Sequence, residues 1–278
     1  MTPLMEARAQ AAVLRQVFSL ELRRAFAYRV EFWIRFAGVI FANVAIAYFL
    51  WQAIFAQTGS LTIEGYTFRG MILYYLLVPL TENITRSSTE HGAVSAEIYS
   101  GSLTRYLIYP VAFFPYRYAA TAASGAIAVT ALVIVLTSYG FLIGWPPEMP
   151  FSTVAVVTGL VAACYGSLLN FLLVSMVEMV AFWADNTWSL NVMLMFSARL
   201  LGGALLPLSL LPSGLQAVLH YTPFPYLVSF PVLAMLGKVD HAAFGEGIMI
   251  MTSWILALGA IDALIWRRGN RKYTGVGV

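Results

Sequence analysis

Arg117–Gly144 reads RYAATAASGAIAVTALVIVLTSYGFLIG, and after its opening arginine no charged side chain interrupts it. A helix needs about 20 apolar residues to cross the hydrocarbon core of a bilayer. An open chain in hydrocarbon can satisfy its own peptide groups only as a helix. The stretch therefore reads as a transmembrane helix, and five more runs resemble it: Trp33–Ala56, Phe68–Thr85, Phe151–Val177, Trp188–Pro207 and Phe244–Trp266. Phe68–Thr85 is the one interrupted by a proline, Pro79. Composition agrees, with 60% hydrophobic and 10% charged residues in a chain of 278. The expected fold class is an all-α integral membrane protein of six transmembrane helices.

Basic residues near span ends remain on the cytoplasmic side of a membrane. Arg8, Arg15, Arg23, Arg24, Arg29 and Arg35 precede or open the first run. Arg86, Arg105 and Arg117 lie between the second and third runs, and Arg267, Arg268, Arg271 and Lys272 follow the sixth. All but three of the sixteen basic residues thus fall on one side if both termini are cytoplasmic. Arg69 and Lys238 fall on the opposite side and Arg199 within the fifth run. The formal charge of +3 is a topology signal under this arrangement, with no nucleic-acid partner implied. Residues 1–32 form the expected amphipathic N-terminal segment, 33–266 the six-span bundle and 267–278 a basic cytoplasmic tail. The first residues lack the apolar core of a signal peptide, so the N-terminus is expected to be retained.

Leu14, Val17, Phe18 and Leu22 recur at helical spacing, and Arg15, Ser19 and Arg23 share another face. The segment reads as an interfacial helix, or as a basic stop that fixes orientation. Between the second and third spans lies AEIYSGSLTRYLIYPV, Ala96–Val111. A short helix over 92–100 with Glu90 and Glu97 exposed, an end at Gly101, and a second helix capped by Ser102 and running to Tyr109 are expected. Pro110 and Pro115 bound the return to the membrane. Ile98, Tyr99, Leu103, Tyr106 and Leu107 make this segment half apolar, fit to lie on headgroups or in a groove of another protein. Prolines 207, 212, 223, 225 and 231 divide Leu208–Ala243 into short external helices, one opening at Pro212 and Ser213. Tyr221, Phe224, Tyr226 and Phe230 are expected in the aromatic belt.

Arg199 is the clearest intramembrane charge. It lies roughly 17 Å along its helix from Trp188, at about 1.5 Å per residue, which places it in the outer half of the bilayer. It either snorkels outward, pairs with Glu246, or acts on a substrate path or gate with Asn191 and Met195. Asn43, Glu82 and Asn83 are weaker candidates. No catalytic or metal-binding residues are expected. Cys164 is the only cysteine, and His91, His220 and His241 are scattered. Ser124 has no histidine in any span to activate it. No GxxxxGK[ST] phosphate loop occurs, so ATP hydrolysis has no seat on this chain. An autonomous ion-coupled carrier is the rival reading, but Glu82, Glu178 and Asp262 all fall near cytoplasmic ends and no repeat is visible.

EIYSGSLTRYLIYPV resembles the pattern found between the second and third spans of ABC-2 type permeases, especially a subgroup long labelled a domain of unknown function. GGALLPLSLLPSGLQAVLHYTPFPYLVSFPVLAMLGK, Gly202–Lys238, resembles that subgroup's run after the fifth span. The resemblance implies one ABC-2 type transmembrane domain over 1–278. It also implies a coupling helix formed or flanked by Glu97, Ile98, Tyr99, Ser100, Gly101, Ser102, Leu103, Thr104 and Arg105. Two ATP-binding subunits carrying ATP and magnesium and a second permease, identical or similar, are the implied partners. The implied setting is a bacterial inner membrane and the implied direction is export; the apolar fifth run, with Met193, Met195 and Phe196, suits an amphipathic, lipid-like or drug-like substrate.

Overall fold

The computed structural model describes residues 3–27, 29–86, 93–149 and 152–273. Among them there is no strand, and eleven α-helices follow one another: α1 Pro3–Ala27, α2 Arg29–Thr58, α3 Phe68–Thr85, α4 Ala93–Tyr99, α5 Thr104–Leu107, α6 Phe113–Leu142, α7 Thr153–Glu178, α8 Trp188–Leu201, α9 Ser213–His220, α10 Ser229–Met235 and α11 His241–Asn270. Among the described residues four helical stretches are long and apolar enough to cross a membrane: Phe36–Thr58, Phe113–Leu142, Thr153–Phe182 and His241–Asn270. α8 has 14 residues, about 21 Å of helix, and stops six residues short of the expected Pro207 because Gly202 and Gly203 turn the chain there. α6 starts earlier than expected. Pro115 sits in its first turn, where the missing N–H would have had no partner, so it continues the helix instead of ending it.

α3 is the central post, with Met71, Leu73, Tyr74 and Leu80 wholly buried. It packs against α2, α6, α7 and α10. At one end of the bundle Thr67 caps α3 by accepting from Gly70 N–H and donates to Glu148. Arg69 donates to the carbonyls of Ile143 and Gly144, at 2.6 and 2.9 Å. Lys238 lies 3.4 Å from the centre of the Tyr66 ring and donates to Gly65 O at 3.0 Å. Burial pushes the Tyr66 phenol up to about 12. Arg69 and Lys238 thus share one end of the molecule, opposite to the end that carries Arg105 and Arg267.

α7 and α10 approach so closely that a Cβ on Gly159 would sit 2.7 Å from Met235 N and 2.8 Å from Pro231 O. α10 therefore wedges into the bundle, and its neighbour Tyr226, expected at the aromatic belt, is a core residue at 2% exposure. Its hydroxyl donates to His220 O at 2.8 Å. Tyr221, by contrast, is exposed. α1 packs along α6. The stripe of Leu14, Val17, Phe18 and Leu22 is the partly covered side of α1, while Arg15 and Arg23 are exposed.

Candidate functional site

α4, the turn at Gly101 and α5 form a handle at the end of the bundle away from Arg69. Gly101 adopts φ +71°, the left-handed region where a side chain is strained. This lets Leu103 N–H reach back to Glu97 O at 3.0 Å and Gly101 N–H to Ile98 O at 3.2 Å. α5 starts at Thr104 and is shorter than expected, because Ser102 does not cap it. The Ser102 hydroxyl donates to the Glu97 carboxylate instead. Arg105 Nη2 donates to Glu97 Oε1 at 2.7 Å, and the Tyr106 hydroxyl to the same oxygen at 3.0 Å. Expected on the surface, Glu97 has a side chain only 12% exposed, and it ties the two short helices into one body. Burial pushes its carboxyl up, but the bonds from Ser102, Arg105 and Tyr106 outweigh that and hold it below the usual carboxylate range. Glu90 lies outside the described residues.

The apolar side of the handle faces the bundle. Val94, Ile98, Leu103 and Tyr106 join Phe113, Met179 and Ala181 in a cluster separate from the main core, with Ile265, Trp266 and Tyr273 packed against it. The Phe113 and Trp266 rings stack with centroids 4.8 Å apart. Polar ties run beside the packing. Val94 N–H donates to Glu178 Oε2 at 2.7 Å, and the Tyr99 hydroxyl to Ala184 O at 2.9 Å. The Tyr273 hydroxyl donates to Gly101 O, and Thr104 N–H donates to Tyr273 at 3.3 Å. Handle, α7 and α11 are thereby one mechanical unit. Ala96, Ser100, Thr104 and Arg105 point outward, followed by Ile108 at 79% exposure and Tyr109. Glu178, Trp266 and Tyr273 escaped the sequence reading as handle residues. The aromatic pair Trp266 and Tyr273 flanking a basic tail was the available signal.

The intramembrane candidates are arranged differently from expectation. Arg199 does not meet Glu246, which pairs with His220 at 3.1 Å. Its Nε lies 3.2 Å from Glu82 Oε1, and Glu82 is also 3.4 Å from Arg86 Nη2. Tyr74 donates to Gly203 O at 2.7 Å and Tyr75 to Leu205 O at 2.9 Å. As α3 advances from Tyr74 to Glu82, α8 retreats from Gly203 to Arg199, so the two run antiparallel. Arg199 thus lies one turn inside the handle-side end of α3, a level the sequence could not supply because it measured depth from Trp188. Asn191 is buried with no hydrogen bond to its Oδ1, and Met195 is exposed. Asn43 and Asn83 bond back to their own helices.

The described residues thus form an all-helical bundle with a compact pair of short helices, α4 and α5, packed on one end. The profile of the ABC-2 family transporter proteins matches residues 41–277, and the chain belongs to that family. It is an integral membrane permease of the ABC transporter class, whose members associate with ABC ATP-binding subunits. No curated protein and no solved structure matches the chain significantly.

Proposed function

We propose that this chain is the membrane subunit of an ATP-driven exporter, with α3 and α8 completing six spans and both termini in the cytoplasm of a bacterial cell. The observation that carries the reading is the handle, whose apolar side is fixed to α7 and α11 and whose other side offers Ala96, Ser100, Thr104 and Arg105 to a partner. A lever must be stiff to transmit motion, and a turn locked by Glu97 and Tyr273 is stiff. Two ATP-binding subunits, which hold ATP and magnesium, grip the handles of this permease and of a second one, identical or similar. Their closure draws the handles together and opens the path outward. The exposed apolar side chains of α8, Met193, Met195 and Phe196, suit an amphipathic, lipid-like or drug-like cargo.

The test is purification of the tagged chain from its host in mild detergent, with ATPase assays and identification of the co-eluting chains. A subunit with a phosphate-binding loop is expected to co-elute. Ala96→Arg is expected to abolish its recovery without changing the permease's melting temperature. A chain that elutes alone from several mild detergents would sink the reading in favour of an ion-driven carrier.

A further inference from the structure

Arg199 is a partly buried cation of the described bundle whose partner is the Glu82 carboxylate. A guanidinium offers five N–H donors. Here the guanidinium faces Glu82 side-on, with Nε 3.2 Å from Oε1 and Nη2 3.4 Å from Oε2, which leaves Nη1 and the second Nη2 hydrogen open. Glu82 cannot serve Arg199 alone, because Arg86 draws on the same carboxylate from the next turn of α3. Charges inside a membrane protein are retained where they pair or meet a substrate. A guanidinium with open donors has the geometry to take a phosphate or carboxylate through two parallel bonds.

The surroundings define what else the occupant must be. Arg199 is 36% exposed, so one side of the guanidinium is open. On the same helix, Phe196, at 59% exposure, and Leu200, at 38%, flank it with apolar surface. These two side chains carry no polar group. The surface matches a molecule with an anionic head and apolar chains. Because Arg199 lies near the handle-side end of α3, such a molecule would be met from the leaflet on that side.

We infer that Arg199, steadied by Glu82 and backed by Arg86, is a receiving site for the phosphate or carboxylate head of an anionic amphiphile whose chains lie along α8. The inference names the head chemistry of the cargo and rests on the transport reading for its purpose. The anion site itself does not depend on any motor subunit. Glu82 has a specific part: it holds the two guanidiniums close together and competes with the ligand for Arg199.

The experiment is thermal melting of the purified full chain in neutral detergent, titrated with dihexanoyl phosphatidic acid, with dihexanoyl phosphatidylcholine, or with sodium phosphate alone. The phosphatidic acid is expected to raise the melting temperature saturably while the other two do not. Arg199→Gln should weaken the apparent affinity at least about tenfold, since it removes a charge-assisted bidentate contact. Glu82→Gln should tighten it, because a competitor is lost; a merely structural ion pair would give the two variants the same effect. A shift with phosphatidylcholine equal to that with phosphatidic acid overturns the proposal. A shift with phosphate alone overturns the amphiphile part. Should Arg199→Gln fail to fold, Glu82→Gln decides by itself, and unchanged or weaker binding there refutes the assignment. The assay needs no ATPase, so its failure and the failure of the exporter reading are separate outcomes.

Discussion

Replacing Glu97 by alanine removes the acceptor that three donors share, and the loss can be sized from their surroundings. The bonds from Ser102 and from the buried Tyr106 contribute about 1 kcal/mol each. Arg105 is 55% exposed, and solvent screening limits its pair to about 0.2–1 kcal/mol. Together they stabilise the closed handle by about 2–3 kcal/mol, so its amides should exchange with solvent about 30- to 150-fold faster in Glu97→Ala. Hydrogen exchange in lipid nanodiscs reads this peptide by peptide. The increase should be confined to residues 93–107 and leave α3 and α7 unchanged; Glu97→Gln should fall between because its amide oxygen still accepts. The pH dependence has a fixed sign. The Glu97 carboxyl is depressed in the fold, so its contribution is complete above the ordinary carboxylate pKa and disappears as pH falls through the lower folded value. Protection corrected for intrinsic exchange should be flat near neutrality and fall only as pH drops below the ordinary carboxylate range. Exchange within a factor of about three of wild type, or acceleration spread over all spans, would refute the idea that Glu97 is the lock.

Gly159→Ala forces a Cβ against the backbone of α10 and should cost about 1–3 kcal/mol, seen as a lower melting temperature in detergent. Gly245→Ala, in open space on α11, should be neutral or stabilising by up to about 1 kcal/mol in the same assay. Asp262 is buried at 2% exposure with neither carboxyl oxygen hydrogen-bonded. Asp262→Leu breaks no described pair and should not lower the melting temperature; a fall of several degrees would reveal a partner. Glu178→Ala leaves Val94 N–H buried without this acceptor, at a cost of about 1–3 kcal/mol, and should loosen the handle in exchange measurements. Glu178→Gln, which still accepts, should restore most of the protection.

Hydropathy located the long helices, because a run such as Arg117–Gly144 has one physical outcome in lipid. It was weaker for α3, whose Arg69, Glu82 and Asn83 look like the ends of a span until tertiary contacts are known. The handle's existence was legible from Gly101 and the charged residues about it. Which way it faced was not, since Ile98 and Leu103 could equally have served a partner's groove; that was decided by Met179 and Trp266, remote in sequence and adjacent in space. The pairing of Arg199 failed for a related reason. Distance along one helix fixes depth only if that helix begins at the membrane surface, and α8 begins beside the handle, where Tyr99 reaches Ala184. Tyr226 was misplaced because aromatic composition cannot tell a wedge in the core from a belt at its edge.

The clasp of Tyr273 on Gly101 also bears on biogenesis. The handle emerges from the ribosome early, yet the hydroxyl that closes on its turn belongs to a residue that follows α11. Nascent chains inserted as far as α11 would display an unclasped handle. An ATP-binding subunit that recognises only the clasped form would thereby ignore chains in which the segment after α11 has not yet docked on the handle.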